Sequence, residues 1–137
     1  MAHKIGLFIG RFQPFHLGHI DAIKQAKEYG VTEFFIGIGS ANKEHTAENP
    51  FTYEEREMMI NKLLKALNIK FTIYPIPDME SDEDRKNHII KNLPEFDVVI
   101  SGNPRTTSIF KKTEYPICNI KIIKDIKSTT IRHMLYI

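Results

Sequence analysis

The sequence predicts an α/β fold: a doubly wound, five-stranded parallel sheet forming a single domain over residues 1–137. Three observations predict it. Short apolar, β-branched runs alternate with helix-period segments along the whole chain. Two of those runs, FFIGIG (34–39) and DVVIS (97–101), are apolar on both faces, as strands buried between two helix layers are. No repeat, low-complexity tract or Pro/Gly/Ser-rich linker breaks the alternation.

The elements follow in order. The first strand is predicted at 5–9, inside KIGLFIG (4–10). A helix over 17–29 places Leu17, Ile20, Ile23 and Ala26 on one side. The second strand is 34–38. The helix over 53–67 opens on Thr52, with Glu55 three residues later to complete a capping box. Ile60, Leu63, Leu64 and Leu67 form its predicted buried stripe. The third strand is 71–74. A helix then follows Ser81; its first turn, Asp82-Glu83-Asp84, suits the positive end of the helix dipole, and Ile89, Ile90 and Leu93 are its apolar residues. The fourth strand is 98–101, followed by a short helix over 106–112. The fifth strand is predicted at 120–123, and a last helix begins near Ser128.

The totals narrow the function classes. The net charge of +2, from 19 basic and 17 acidic residues, is too balanced for nucleic-acid binding through bulk charge. No apolar run approaches the ~20 residues of a membrane span. Cys118 is the one cysteine, so neither an internal disulfide nor a cysteine-based zinc site is expected. MAHKIGLFIGR reads as no signal peptide, and a cytoplasmic location is the simplest expectation.

In a doubly wound sheet, ligands bind at the carboxyl ends of the strands. Three polar loops begin there, 10–19, 39–52 and 101–106, and these should build the site. The first reads GRFQPFHLGH. Gly10 lets the backbone approach a ligand, Pro14 stiffens the turn and Gly18 keeps the helix start slim. His16 and His19 lie one turn apart at a helix N-terminus, where free N–H groups favour an anion. Imidazoles can donate to phosphate oxygens and Arg11 adds a permanent charge, so a polyphosphate suits the loop. Two surface histidines beside a turn would look the same in isolation. A metal site is not expected, since no further Cys/His pair stands at ligand spacing. STTIR (128–132) opens the last helix; Ser128 and Thr129 can cap it and bind phosphate, with Arg132 in reach of the same anion.

GRFQPFHLGH resembles the nucleotide-binding signature of the adenylyl/cytidylyl transferase superfamily, in the form found in archaeal-type nicotinamide-nucleotide adenylyltransferases. Further stretches agree in the same order: IGIGSANKEHTAENPFTYEER (36–56), YPIPDM (74–79), FDVVISGNP (96–104) and IKSTTIR (126–132). The resemblance implies a Rossmann-like transferase that joins the AMP of ATP to nicotinamide or nicotinate mononucleotide, with Mg²⁺ assisting. It implies catalytic roles for Arg11, His16, His19 and Arg132. ATP would further touch Gly10, Gly102, Asn103, Ser128 and Thr129. Phe12, Ser40, Ala41, Asp78 and Arg85 would hold the acceptor nucleotide. Thr52 and Arg56 also match; Thr52 reads as a helix cap and Arg56 as half of a helix-surface ion pair.

Two departures stand out. Similar enzymes carry a tryptophan after the P-D-apolar motif, stacking on the nicotinamide. This chain has none, and in MESDEDRKNHII (79–90) Arg85 falls about where that ring would be. A cationic nicotinamide would repel Arg85, whereas a nicotinic acid ring would tolerate it better. Lys127 stands where the family usually has serine. Archaeal relatives assemble as hexamers through a further helical segment, while this chain stops at Ile137 after the apolar MLYI, so a homo-oligomer is a looser expectation. The competing readings are a related transferase with another phosphate-bearing acceptor and a non-catalytic nucleotide-binding module. A dinucleotide-dependent redox enzyme is disfavoured, since no G-x-G-x-x-G follows the first strand.

Overall fold

A computed structural model describes residues 3–41 and 49–121. Five strands, β1 (Ile5–Gly10), β2 (Glu33–Gly39), β3 (Phe71–Ile76), β4 (Val98–Ser101) and β5 (Ile117–Asn119), alternate with four helices, α1 (Leu17–Tyr29), α2 (Tyr53–Ala66), α3 (Asp82–Asn92) and α4 (Pro104–Lys111). The sheet order is β3-β2-β1-β4-β5 and every pairing is parallel. The predicted last helix, with Ser128, Thr129 and Arg132, lies outside the described residues.

Strand alternation sorts the core into two halves. Phe8, Phe34, Ile36, Ile38, Val98 and Ile100 pack on one face with Ala22, Ile23 and Ala26 of α1 and Ile60 and Leu64 of α2. Leu7, Phe35 and Val99 point to the other face, against Ile89 of α3 and Phe110 of α4. A strand whose neighbouring residues both enter a core must be apolar throughout, which is why β2 reads FFIGIG. Gly30 ends α1 at φ 113°, a left-handed cap that returns the chain into β2.

Three predicted details need correction. The fifth strand is Ile117–Asn119 rather than 120–123. β4 has only four residues, and its register pairs Val99, Ile100 and Ser101 with Ile117, Cys118 and Asn119. The Ile120 N–H still donates to the Ser101 carbonyl at 2.9 Å, so pairing stops where the more β-branched run begins. In α2, Ile60 and Leu64 are buried but Leu63 and Leu67 are exposed. β3 is the edge strand, so the described residues offer that flank of α2 no further cover. Ile90 on α3 and Leu17, the first residue of α1, are exposed as well.

Candidate functional site

The loop after β1 turns sharply into α1. Phe12 takes φ 51°, and Gln13–Pro14 is a cis peptide. A Cβ on Gly10 would stand 2.9 Å from the Phe12 ring, so the glycine is needed for this ring to fold back over the strand end. Phe12 is 1% exposed; its ring is core and only its backbone can face a ligand. Gln13 is wholly buried. Its amide donates to the Phe51 carbonyl (3.1 Å) and accepts from the Phe51 N–H (2.8 Å), fastening the loop to the segment that leads into α2.

His16 is the N-cap of α1, and the two histidines cap reciprocally. The Gly18 N–H donates to His16 Nδ1, and the His16 N–H donates to His19 Nδ1, both at 3.0 Å. These imidazoles thus take up backbone N–H groups that were expected to be free for an anion. With Nδ1 accepting, each neutral ring carries its proton on Nε2 and keeps one N–H to give away. The rings lie 3.9 Å apart, centroid to centroid. Phe15 stacks on His19 at 5.1 Å and Phe12 meets it edge-on at 4.8 Å. Burial among these rings, and secondarily the neighbouring His16, push the His19 pKa down to about 3. Burial also lowers His16. At neutral pH the pair is a set of uncharged donors, and Arg11, exposed on the same loop, is the fixed cation.

The ends of β1 and β2 are held by a residue assigned to the helix surface from sequence. Arg56 is 0% exposed. Its guanidinium donates to the carbonyls of Thr52 (3.1 Å), Arg11 (3.0 Å), Gly39 (2.9 Å) and Ser40 (3.1 Å). The surface ion-pair reading is wrong, because position 56 precedes Ile60 and Leu64 by one and two turns and shares their inward stripe. Ser40, at φ 51°, then donates its hydroxyl to Asp78 Oδ1 at 2.8 Å. Ala41 follows, its N–H bonded to the Ile76 carbonyl.

On the other side of β1, Asn103 caps α4 by accepting the Arg105 N–H at 2.9 Å, so its side-chain oxygen is engaged within the helix start and Gly102 precedes it. Arg105 reaches across to α3 and grips Asp82, with its closest contact at 2.6 Å. That contact holds the Asp82 carboxyl below the usual carboxylate range. Arg85 stands 3.8 Å from the same carboxylate.

Gly10, Arg11, Ser40, Asp78, Arg85 and Asn103 share the lining of one cavity of about 430 Å³. Asp82, Arg105 and Thr106 complete it from the helix starts. His16 and His19 lie outside this lining, on the α1 side of Arg11. Gln13 and Arg105 were not singled out from sequence, and Asp82 only as part of the acidic first turn of a helix. No local pattern marks a glutamine that bonds to a segment 38 residues away or an ion pair 23 residues apart. Among the described residues no group of three His, Cys, Asp or Glu side chains is placed to hold a metal, and no helix is long and apolar enough to cross a membrane.

Comparison with known proteins agrees with this geometry. Residues 7–134 match the cytidylyltransferase-like family model. The nicotinamide-nucleotide adenylyltransferase of Methanococcus aeolicus is 42% identical over 85% of this chain and 67% of its own. That of Methanocorpusculum labreanum is 36% identical over 96% of this chain and 79% of its own. Among solved structures, a bifunctional NMN adenylyltransferase/ADP ribose pyrophosphatase of Francisella tularensis, complexed with AMP and a manganese ion, superposes with a TM-score of 0.79 at 26% identity. The match covers 98% of this chain but 42% of that one, so this chain corresponds to less than half of the larger protein. By the family model and by these relatives, the chain belongs to the cytidylyltransferase-like family, among the archaeal-type nicotinamide-nucleotide adenylyltransferases.

Proposed function

We propose that residues 1–137 form one catalytic domain that transfers AMP from ATP to a pyridine mononucleotide, giving the dinucleotide and pyrophosphate. An oxygen of the acceptor's 5′-phosphate forms the new bond to the α-phosphorus. The bond from that phosphorus to the bridging oxygen breaks, and pyrophosphate leaves with its electron pair. No covalent enzyme intermediate is needed; the work is in-line positioning and neutralisation of growing charge.

The observation that carries this reading is the reciprocal capping of His16 and His19. It fixes two neutral Nε2–H donors at the start of α1, on the same loop as Arg11. Neutral donors suit a site that must bind a polyphosphate and then release pyrophosphate. Arg132 would add the second guanidinium, with Ser128 and Thr129 holding the remaining phosphate oxygens. Gly10, Gly102 and Asn103 would receive the rest of ATP. The acceptor would lie over Ser40, Ala41, Asp78, Arg85 and the Phe12 backbone. Mg²⁺ would travel on the phosphates and supply charge neutralisation, in keeping with its habit of binding through substrate phosphate and water. The partners are small nucleotides in the cytoplasm, not nucleic acid or membrane.

The test is direct. Purified chain with ATP, Mg²⁺ and nicotinamide or nicotinate mononucleotide should release pyrophosphate and yield the matching dinucleotide by mass spectrometry. His19→Asn, which keeps an acceptor for the capping N–H, should lower kcat by roughly 100-fold. Full turnover in that variant would remove His19 from the reaction.

A further inference from the structure

We propose that the cavity selects a pyridine nucleotide whose ring bears a carboxylate, and that Arg85 is the residue that selects it; this deepens the function proposed above and rests on it.

Three guanidinium groups, Arg11, Arg85 and Arg105, line the cavity against two carboxylates, Asp78 and Asp82. The carboxylates are not shared evenly. Arg105 takes both oxygens of Asp82, at 2.6 to 3.2 Å. One Asp78 oxygen is occupied by the Ser40 hydroxyl at 2.8 Å. Arg85 is left at 3.8 Å from Asp82, beyond hydrogen-bond range. Its guanidinium makes no hydrogen bond to any described residue, although its side chain is only 21% exposed. A half-buried guanidinium with its planar fork of donors unused is a seat for a planar anion.

The rest of the lining says which end of the ligand meets it. The histidine pair and Arg11 are on the α1 side, where the phosphates belong. Arg85 enters from α3, which packs on the face of the sheet opposite α1. The group that reaches it is therefore the base, not the phosphate. Among the described residues no aromatic side chain lines the cavity, so of those residues only a guanidinium plane is there to stack on the ring. A pyridinium ring with a neutral amide would bring net positive charge to Arg85. The same ring with a carboxylate is neutral overall and gives the fork two oxygens. Charge-assisted bonds of this kind correspond to roughly ten- to a hundredfold in binding.

The experiment measures binding and turnover separately. Calorimetric titration of the whole chain with nicotinate mononucleotide and with nicotinamide mononucleotide, without ATP, should show the acid binding at least tenfold more tightly. Pyrophosphate release with ATP and Mg²⁺ should show the same order in kcat/KM. R85Q should lower the acid's affinity and kcat/KM by roughly the same factor, so that the acid-to-amide ratio of both falls towards one. R85K, which keeps the charge but loses the fork, should fall between. Equal or tighter binding of the amide by the native chain overturns the proposal, as does R85Q weakening both nucleotides alike. If the acid binds selectively but neither nucleotide is turned over, the transferase reading fails while the selectivity of the cavity stands.

Discussion

His16 and His19 show how two side chains acquire a state that neither has alone. Each accepts a backbone N–H on Nδ1, and protonating either ring at that nitrogen would cost a hydrogen bond. His19 also sits against Phe12 and Phe15, so an imidazolium there would lose its water. The folded pKa of about 3 lies below the ordinary 6.5. A depressed histidine pKa means that the unfolded chain binds the proton more readily. The stability this pair contributes is complete above pH 6.5 and is lost as pH falls from there toward 3. Asp82, also depressed, adds its own loss only near and below its ordinary 3.8. The thermal midpoint should therefore decline between pH 6.5 and 4.5, and His19→Asn should flatten that part of the curve in scanning calorimetry. An unchanged slope would show that the ring is not held neutral. The sequence made the pair visible as a candidate phosphate site. It did not show that the imidazoles cap each other, because the motif says nothing of which ring nitrogen is engaged.

At the scale of elements, α2 joins a legible pattern to an illegible one. Thr52 and Glu55 announce the helix start, and both halves of the capping box form, at 2.9 and 3.0 Å. Ile60 and Leu64 announce its inner face. Arg56 lies on that face, but charge argued for the surface. A buried guanidinium is stable there because strands β1 and β2 end in carbonyls that have no further strand partner, and one planar group can satisfy several at once. Polar residues buried for the sake of distant backbone are hidden from periodicity, which reads only apolar positions. The expected consequence is large. Arg56→Met should destabilise the fold by about 3 kcal/mol or more, since it leaves buried carbonyls without donors. Arg56→Lys should recover only part of that, because an ammonium cannot span the carbonyls of Arg11, Gly39 and Thr52 together. Urea denaturation of the three proteins measures both differences. A Lys variant as stable as the native chain would mean that charge, not the fork, holds the strand ends.

Across the whole molecule, the sheet order puts the site where no short segment can make it. The chain runs β1, β2, β3 toward one edge and then returns to add β4 and β5 on the other, so the direction reverses beside β1. The loops after β1, β2 and β4, which lend Gly10, Arg11, Ser40 and Asn103 to the cavity, were legible as a candidate site from their polar, glycine-bearing sequences at strand ends. The contribution from the α3 start was legible only through family resemblance, and the Arg105–Asp82 bridge not at all, because strand order is a property of the assembled sheet. The cavity draws on residues from Ile9 to Thr106, so it exists only when β1, β2, β3 and β4 are all in place. A ligand there binds the folded chain and not its unfolded form, and stabilises the whole rather than one loop. A non-hydrolysable ATP analogue at about 100 times its Kd should add about 2.7 kcal/mol. For a chain of this size that corresponds to a rise in Tm of roughly 8–10 °C. The mononucleotide acceptor should raise it further when added to the analogue, since in the proposed function the two would occupy neighbouring halves of one crevice. Differential scanning fluorimetry with each ligand alone and with both measures these shifts. If the folded protein shows no shift with millimolar analogue, then the histidine loop, however well organised, does not bind a nucleoside triphosphate.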